Sequence, residues 1–519
     1  MEVVDNKALV LHTKTPHLIT EAIKKSHVLS REGDVYKVLV NWELPEAQHL
    51  SHLKLANVPS PINRDYKWTG RLTPFKHQEV TSSFLTLHKK AFCFNEQGTG
   101  KTASVIWAAD YLIKRGDIKR VLVLCPLSIM KSAWQQDLFK FAMHRSCSVA
   151  HGSAERRKKI LAAGSEFVII NFDGVGVIKE EIMAGGFDLI VVDEANAYKN
   201  PQTNRWKILR DIVAQTPWLW MLTGTPAAQS PVDAFGLAKL VNPTNVPNYF
   251  GRFRDDVMYK VTQYKWAPKH DAQETVHKAL QPAIRFERAQ CLDLPPLTYI
   301  EREAPLTPQQ NKYYKKLKKD MVLEAAGEEV SAVNAAAHLN KLLQLSGGAV
   351  YTNDGTVLEF DVHNRLQVIL EVVQEASNKV LIFVPFTHTI ELLSEFLIKQ
   401  KISCEVINGR VSVNKRTDIV SNFQDKEEPQ VLVIQPQAAS HGLTLTAADT
   451  IIWYAPVTSV ETYLQANARI NRPGQNHPMT VVHIQGSPVE NRLYTMLQGN
   501  ILNHHKLIDL YREEVATET

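Results

Sequence analysis

Two stretches of the chain alternate short, largely apolar runs with amphipathic segments. In the first, Ala91-Phe92-Cys93-Phe94, Val121-Leu122-Val123-Leu124, Phe167-Val168-Ile169-Ile170, Leu189-Ile190-Val191-Val192 and Trp218-Leu219-Trp220-Met221 are each bounded by turn formers or charges. In the second, the matching runs are Val380-Leu381-Ile382-Phe383-Val384, Val431-Leu432-Val433-Ile434, Ile451-Ile452-Trp453-Tyr454 and Val481-Val482-His483-Ile484. A run with no polar face suits a strand covered on both sides. Helical segments between such runs give the rhythm of a parallel sheet wrapped by helices. Between the two stretches, 246–360 is richer in charge and carries long helical patterns over 307–326 and 332–345. Ahead of them, Tyr36-Lys37-Val38-Leu39-Val40 is a β-rich piece, and Pro59-Ser60-Pro61 signals a rigid linker. The pattern predicts an α/β chain in four parts. These are a small N-terminal accessory domain over 1–65, an α/β lobe over 66–245, a helical protrusion or linker region over 246–360, and a second α/β lobe over 361–519.

Composition changes this picture little. The 519 residues suffice for three or four domains, and 44% hydrophobic with 22% charged residues is close to an average soluble protein. The formal net charge of +5, from 59 basic and 54 acidic residues, permits a polyanionic partner without demanding one. Arg156-Arg157-Lys158-Lys159 and Lys315-Lys316 with Lys318-Lys319 concentrate positive charge, either as solvated helix faces or as phosphate contacts. Five scattered cysteines with no CxxC pair argue against a zinc site or a disulfide framework and fit a reducing compartment. No apolar run reaches membrane-spanning length and no signal peptide is visible, so no membrane partner is expected. The expected location is the cytoplasm, that of a host cell for a viral protein, or the nucleus of a eukaryote.

The strongest local signal is Asn95-Glu96-Gln97-Gly98-Thr99-Gly100-Lys101-Thr102, directly after the run 91–94 and directly before a helical pattern. In that context it reads as a phosphate-binding loop. Its glycines let backbone N–H groups curl toward phosphates, and the helix start adds favourable partial charge. Lys101 would reach the β and γ phosphates, and the Thr102 hydroxyl would bind Mg²⁺. The strict pattern has glycine where Asn95 stands. About ninety residues on, Asp193-Glu194-Ala195-Asn196 ends another apolar run, at the edge where ligands of open α/β sheets collect. Asp193 would hold Mg²⁺, and Glu194 would orient and deprotonate an attacking water. The plainer alternative is a charged strand end that caps the next helix. Thr223-Gly224-Thr225-Pro226 is either a simple turn or a relay of phosphate state. Gln465, Arg469 and Arg472 are spaced by four and then three residues, which places them on one helix face ahead of Pro473-Gly474. They are either an exposed polar face or a pair of arginines stabilising charge on a transferred phosphoryl group.

Taken in order, "NEQGTGKT", "VLCPLSIMKSAWQQDL", "VVDEANAYKN", "MLTGTPAAQSPVDAFGLAKLVNP" and "GLTLTAADTIIWYAPVTSVETYLQANARINRPGQ" resemble the motifs of Swi/Snf-family DNA-dependent ATPases of helicase superfamily two. "AIRFERAQCLDLPPLTYIEREAPLTPQQNKYY" is similar to that family's segment between the lobes, so the resemblance runs from about 66 to about 500. It implies two RecA-like lobes with helical protrusions between them, ATP and Mg²⁺ as substrate and cofactor, and double-stranded or branched DNA as partner. It makes Gln78 the adenine reader and supports Lys101, Thr102, Asp193 and Glu194 in the roles above. It also makes Arg469 and Arg472 the arginine pair with Gln465 nearby, and places Pro126, Ser128, Pro385 and Ser440 in loops that meet the DNA backbone. Thr99 stands where the family usually has leucine, Asn196 where it has histidine, and Pro473 where it has isoleucine. The "GLTLTAAD" wording looks closest to the annealing-helicase and fork-remodelling branch, and the compact chain resembles versions carried by bacteriophages. The activity implied is a duplex-DNA translocase for repair, replication or recombination. The alternatives are a strand-separating helicase, and an ATP-gated module that docks on a DNA-bound protein such as a polymerase.

Overall fold

The computed structural model describes residues 1–499, apart from 71, 128, 225, 228–229, 263–265, 292–294, 326–331, 352–355 and 440–442. The chain divides into two compact units, Met1–Cys291 and Leu292–Thr519.

The first unit is built on seven parallel strands in the order Ala283–Ile284, Lys90–Cys93, Trp218–Leu222, Leu189–Asp193, Val121–Cys125, Phe167–Asn171, Cys147–Ala150. All five apolar runs expected there are strands of this sheet, and their side chains feed a buried core on each face. The edge strands Ala283–Ile284 and Cys147–Ala150 are only partly covered. Cys147–Ala150 therefore mixes Ser148 with apolar residues, and Ala283–Ile284 is too short to give a run. The strand Trp218–Leu222 lies between the two strands that matter most, since Leu222 pairs with Cys93 on one side and Asp193 on the other.

The N-terminal segment forms an antiparallel sheet in the order Glu2–Val4, Ala8–Thr13, Val35–Asn41, Ser26–Glu32, closed over Leu9, Leu11, Ile19, Val38, Val40 and Trp42. It belongs to the first unit. The helix Leu44–His52 places Leu44 and Ala47 in the core that contains Leu85 and Val105. Gln48 Nε2 donates to Thr86 O at 2.9 Å, and Trp42 Nε1 to Pro59 O at 2.8 Å.

The second unit carries six parallel strands in the order Leu297–Glu303, Met479–Gln485, Ala448–Trp453, Lys379–Phe383, Val431–Ile434, Cys404–Ile407. Its interior holds a buried ion pair. Arg365 Nη2 reaches Glu490 Oε1 at 2.8 Å and Oε2 at 2.9 Å, while Arg365 Nη1 donates to Tyr454 O. Glu490 Oε2 also accepts from the backbone N–H groups of Gly486 and Ser487, so both charges are satisfied where water cannot reach.

The expected intervening region over 246–360 is divided between the units. Phe253, Val257, Ala279 and Leu280 complete the first core. Leu297–Glu303 is an edge strand of the second sheet, and Tyr314, Leu339, Leu342 and Leu343, from the helices Pro308–Ala325 and Ala332–Gly347, complete the second core. The two helices pack on each other, and Ala332–Gly347 also packs on the helix Pro488–Gln498.

Candidate nucleotide site

The phosphate loop folds as its glycines require. Gly98 and Gly100 take φ of +84° and +79°, a left-handed conformation that side-chain-bearing residues rarely adopt. Gly100 also has no room for more. A Cβ there would lie 2.1 Å from Gln78 Nε2. The helix Lys101–Arg115 starts at once, so Lys101 and Thr102 open its first turn. Lys101 Nζ donates to the carbonyls of Asn95 at 2.8 Å and Glu96 at 3.2 Å, which holds the ammonium over the loop.

Each departure from the strict loop pattern has a structural partner. Asn95 is buried, donates from Nδ2 to Thr81 Oγ1 at 2.8 Å, and accepts at Oδ1 from Phe286 N–H at 3.0 Å. Glu96 Oε2 accepts from Arg288 N–H at 3.0 Å, and Glu96 N–H donates to Phe286 O at 2.9 Å. Thr99 is buried with its hydroxyl donating to Glu96 O at 2.7 Å, so a polar side chain is satisfied where leucine is usual. This clasp between the loop and 284–288 escaped the sequence reading. The signal for it was the polar pair Asn95-Glu96 directly after a wholly apolar strand.

Gln78 lies against the loop, as the helix Lys76–Leu87 packs on Lys101–Arg115. Its Nε2 donates to Thr99 O at 3.1 Å and its Oε1 accepts from Phe75 N–H at 3.0 Å. These bonds use two of the four hydrogen-bonding positions of the amide, which leaves capacity for a base edge.

Two strands away, Asp193 ends its strand with Oδ1 accepting from Glu194 N–H at 3.0 Å and Oδ2 accepting from the Trp134 indole at 2.9 Å. With strands about 4.8 Å apart, one intervening strand sets the loop and the acid roughly 10 Å apart at the sheet edge, a span suited to a phosphate chain. Asp193 is half-buried by exposed surface but densely surrounded by protein. Burial raises its pKa, while Lys101, the indole and the Glu194 amide act against the rise. Glu194 has φ +54°, ψ +55°, left-handed for a residue with a side chain. Such strain of order 1–3 kcal/mol persists where the surroundings hold it, and functional sites are its usual location. Of the expected relay, Thr223 N–H donates to Cys93 O at 3.1 Å, and a Cβ on Gly224 would stand 3.2 Å from Gln97 Cγ. Thr225 lies outside the described residues.

Residues 77–347 match the family profile of the SNF2-related domain, and residues 364–474 match the helicase conserved C-terminal domain. The chain belongs to the SNF2-related family. An uncharacterized ATP-dependent helicase of Mycoplasma genitalium is 26% identical over 400 residues, 75% of this chain and 37% of that protein. The chromodomain-helicase-DNA-binding protein 1-like of Mus musculus is 28% identical over 475 residues, 86% of this chain and 51% of its own. The chain thus spans about half the length or less of these relatives. The putative protein p41 of Acyrthosiphon pisum secondary endosymbiont phage 1 is 25% identical, covering 79% of this chain and 92% of that protein.

In the second unit of this SNF2-related chain, one expectation needs correcting. Gln465 sits on the helix Val460–Asn467, but that helix stops before Arg469 and Arg472, which lie in the turn beyond it. The turn leads to Pro473 and to Gly474 at φ +97°, neither of which continues a helix. The arginines keep the helical spacing through their side chains. Arg469 Nε donates to Gln465 O at 2.8 Å and Arg472 Nε to Ala468 O at 2.9 Å, satisfying terminal carbonyls. Gln465 Nε2 donates to Glu461 Oε1 at 3.3 Å.

Of the candidate DNA contacts, Pro126 follows the strand Val121–Cys125 and Pro385 follows Lys379–Phe383 by two residues, both half-buried. Ser128 and Ser440 lie outside the described residues. One basic cluster is partly internal. Arg157 is buried, with Nη1 donating to Ala150 O and Asn171 Oδ1, both at 3.0 Å, and Lys158 pairs with Glu181 at 2.6 Å. Among the described residues no helix is long and apolar enough to cross a membrane.

Proposed function

We propose that this chain hydrolyses ATP with Mg²⁺ and uses the cycle to move along double-stranded DNA, with forked or branched DNA as its working substrate in repair, replication or recombination. The observation that carries the reading is the phosphate loop and the Asp193-Glu194 pair at one edge of a parallel sheet, in a chain of the SNF2-related family. A compartment that holds DNA follows from it, whether a host cytoplasm or a nucleus.

The residues divide the work as follows. Gln78 binds the base, and the loop 95–102 holds the phosphates through its backbone and Lys101. The Thr102 hydroxyl and the Asp193 carboxylate are hard oxygen donors. Among the described residues no cluster of three or more His, Cys, Asp or Glu side chains competes with them. That donor set fits Mg²⁺, which takes one or two protein oxygens and the rest from phosphates and water. When bound, the ion neutralises charge on the β and γ oxygens. Glu194 accepts a proton from the attacking water, and ADP leaves as the γ-phosphoryl group passes to that water. Arg469 and Arg472, with Gln465 beside them, stabilise the charge that develops on the phosphoryl oxygens. Pro126 and Pro385 lie in the loops that meet the DNA backbone, so binding is sequence-blind and weakens steeply with salt.

The test is steady-state ATP hydrolysis without nucleic acid and with duplex, forked and single-stranded DNA and RNA, beside Glu194→Gln. Stimulation by duplex or forked DNA, lost by roughly a hundredfold or more in the variant, is the expected result. Stimulation by single strands or RNA alone would overturn it in favour of strand separation. Turnover sensitive to Glu194→Gln yet indifferent to every nucleic acid would overturn it in favour of a protein-gated switch.

A further inference from the structure

The segment between the strand Val121–Cys125 and the helix Gln136–Phe141 contains a turn of π-helix, Met130–Gln135. Such turns are rare, and where they occur they are often at functional sites. This one carries Trp134. It has no exposed surface and packs in the core with Met130 and Leu138, yet its indole N–H points at Asp193 Oδ2, 2.9 Å away. The other oxygen of Asp193 is held by Glu194 N–H. Both carboxylate oxygens are thus oriented from the protein side by donors that have no acceptor capacity of their own. An indole cannot bind a metal or accept a proton, so it can only orient the carboxylate.

We propose that Trp134 is a positioning residue for Mg²⁺: its indole N–H fixes the pose of the Asp193 carboxylate and leaves the remaining lone pairs for the metal. The proposal rests on Asp193 being the Mg²⁺ ligand. Groups that hydrogen-bond a ligating carboxylate orient it, and their loss lowers metal affinity by about tenfold to a hundredfold. The apolar surroundings make the contact matter more, because a buried indole N–H without an acceptor is itself unfavourable. Ring and carboxylate therefore hold each other in place.

The experiment measures binding of a fluorescent ADP analogue across a Mg²⁺ titration and in EDTA, for the wild type, Trp134→Phe, Asp193→Asn and the double variant. Trp134→Phe should raise the half-saturating Mg²⁺ concentration about tenfold or more and leave binding in EDTA unchanged. In the Asp193→Asn background it should add nothing. If Trp134→Phe perturbs the fold, benzothienylalanine introduced at position 134 by codon suppression keeps the ring shape and removes only the N–H. An unchanged Mg²⁺ requirement, or equal weakening with Mg²⁺ and in EDTA, overturns the proposal. If Asp193→Asn itself leaves the Mg²⁺ requirement unchanged, the assignment of the metal ligand is what fails.

Discussion

Lowering the pH from 7 to 5 should loosen the second sheet through one ring, that of His483. The residue lies in the strand Met479–Gln485 with no exposed surface, stacked on Tyr494 at 4.1 Å between centroids. Its Nε2 is 3.0 Å from the Tyr463 hydroxyl, and its buried Nδ1 has no hydrogen-bond partner among the described residues. Burial lowers its pKa from 6.5 to about 4. Above pH 6.5 the ring is neutral in both folded and unfolded chains and contributes no pH dependence. Below that, the unfolded chain takes up the proton first, so stability falls as pH falls until the folded ring also titrates. The full gap corresponds to about 3 kcal/mol, of which about 2 kcal/mol is lost by pH 5. Chains of two units rarely unfold in one step, so a local readout is preferable to a global midpoint. Hydrogen exchange of peptides covering Met479–Gln485 should accelerate by more than tenfold between pH 7 and pH 5, beyond the intrinsic change in exchange rate. His483→Gln, which still offers Tyr463 a partner but does not titrate, should show little of this acceleration. Equal acceleration in wild type and variant would refute the reasoning.

Arg365→Met should strand the Glu490 carboxylate in the second core and cost about 3–5 kcal/mol, read as a lower unfolding midpoint. Pairing it with Glu490→Leu should recover most of that loss. Gly100→Ala meets both a φ of +79° and the Gln78 amide, so nucleotide affinity should drop by about tenfold or more, a cost of about 1–2 kcal/mol, while the circular dichroism spectrum is unchanged.

The parts of the fold that the sequence made legible are those where one physical demand dominates. Strands covered on both faces are apolar almost throughout, and all nine such runs are strands. Of the strands in the two parallel sheets, four went unread: Cys147–Ala150, Leu297–Glu303 and Cys404–Ile407 have partly exposed side chains and mix polar with apolar residues, and Ala283–Ile284 is only two residues long. The loop 95–102 was legible as a glycine turn that opens a helix, and Asp193 as the charged end of an apolar strand, because left-handed backbone needs glycine and a covered strand turns polar where it ends. Trp134 was not, because a tryptophan in an amphipathic segment looks like core wherever its N–H points. Arg157 looked like one of four surface cations for a similar reason, since burial of a guanidinium depends on carbonyls such as those of Ala150 and Gly152, which sequence alone does not place. The helix end before Arg469 was misplaced because side-chain bonds to terminal carbonyls preserve a helical spacing after the backbone has left the helix.

The clasp on the phosphate loop has a mechanical consequence. Phe94 N–H binds Ile284 O, Glu96 N–H binds Phe286 O, Phe286 N–H binds Asn95 Oδ1, and Arg288 N–H binds Glu96 Oε2. The chain leaves the first unit three residues after the last of these bonds, so its exit is anchored on the loop 95–102, the loop proposed to hold the phosphates. Tension along that exit strand and a ligand pressing on the loop bear on the same four bonds. Coupling through a shared set of bonds is reciprocal: whatever a bound nucleotide does to the anchor, a load on the anchor does to nucleotide affinity in equal measure. A pull at residue 288 would therefore be felt as a change in grip on the phosphates, with no intermediary beyond two side chains and a short stretch of strand.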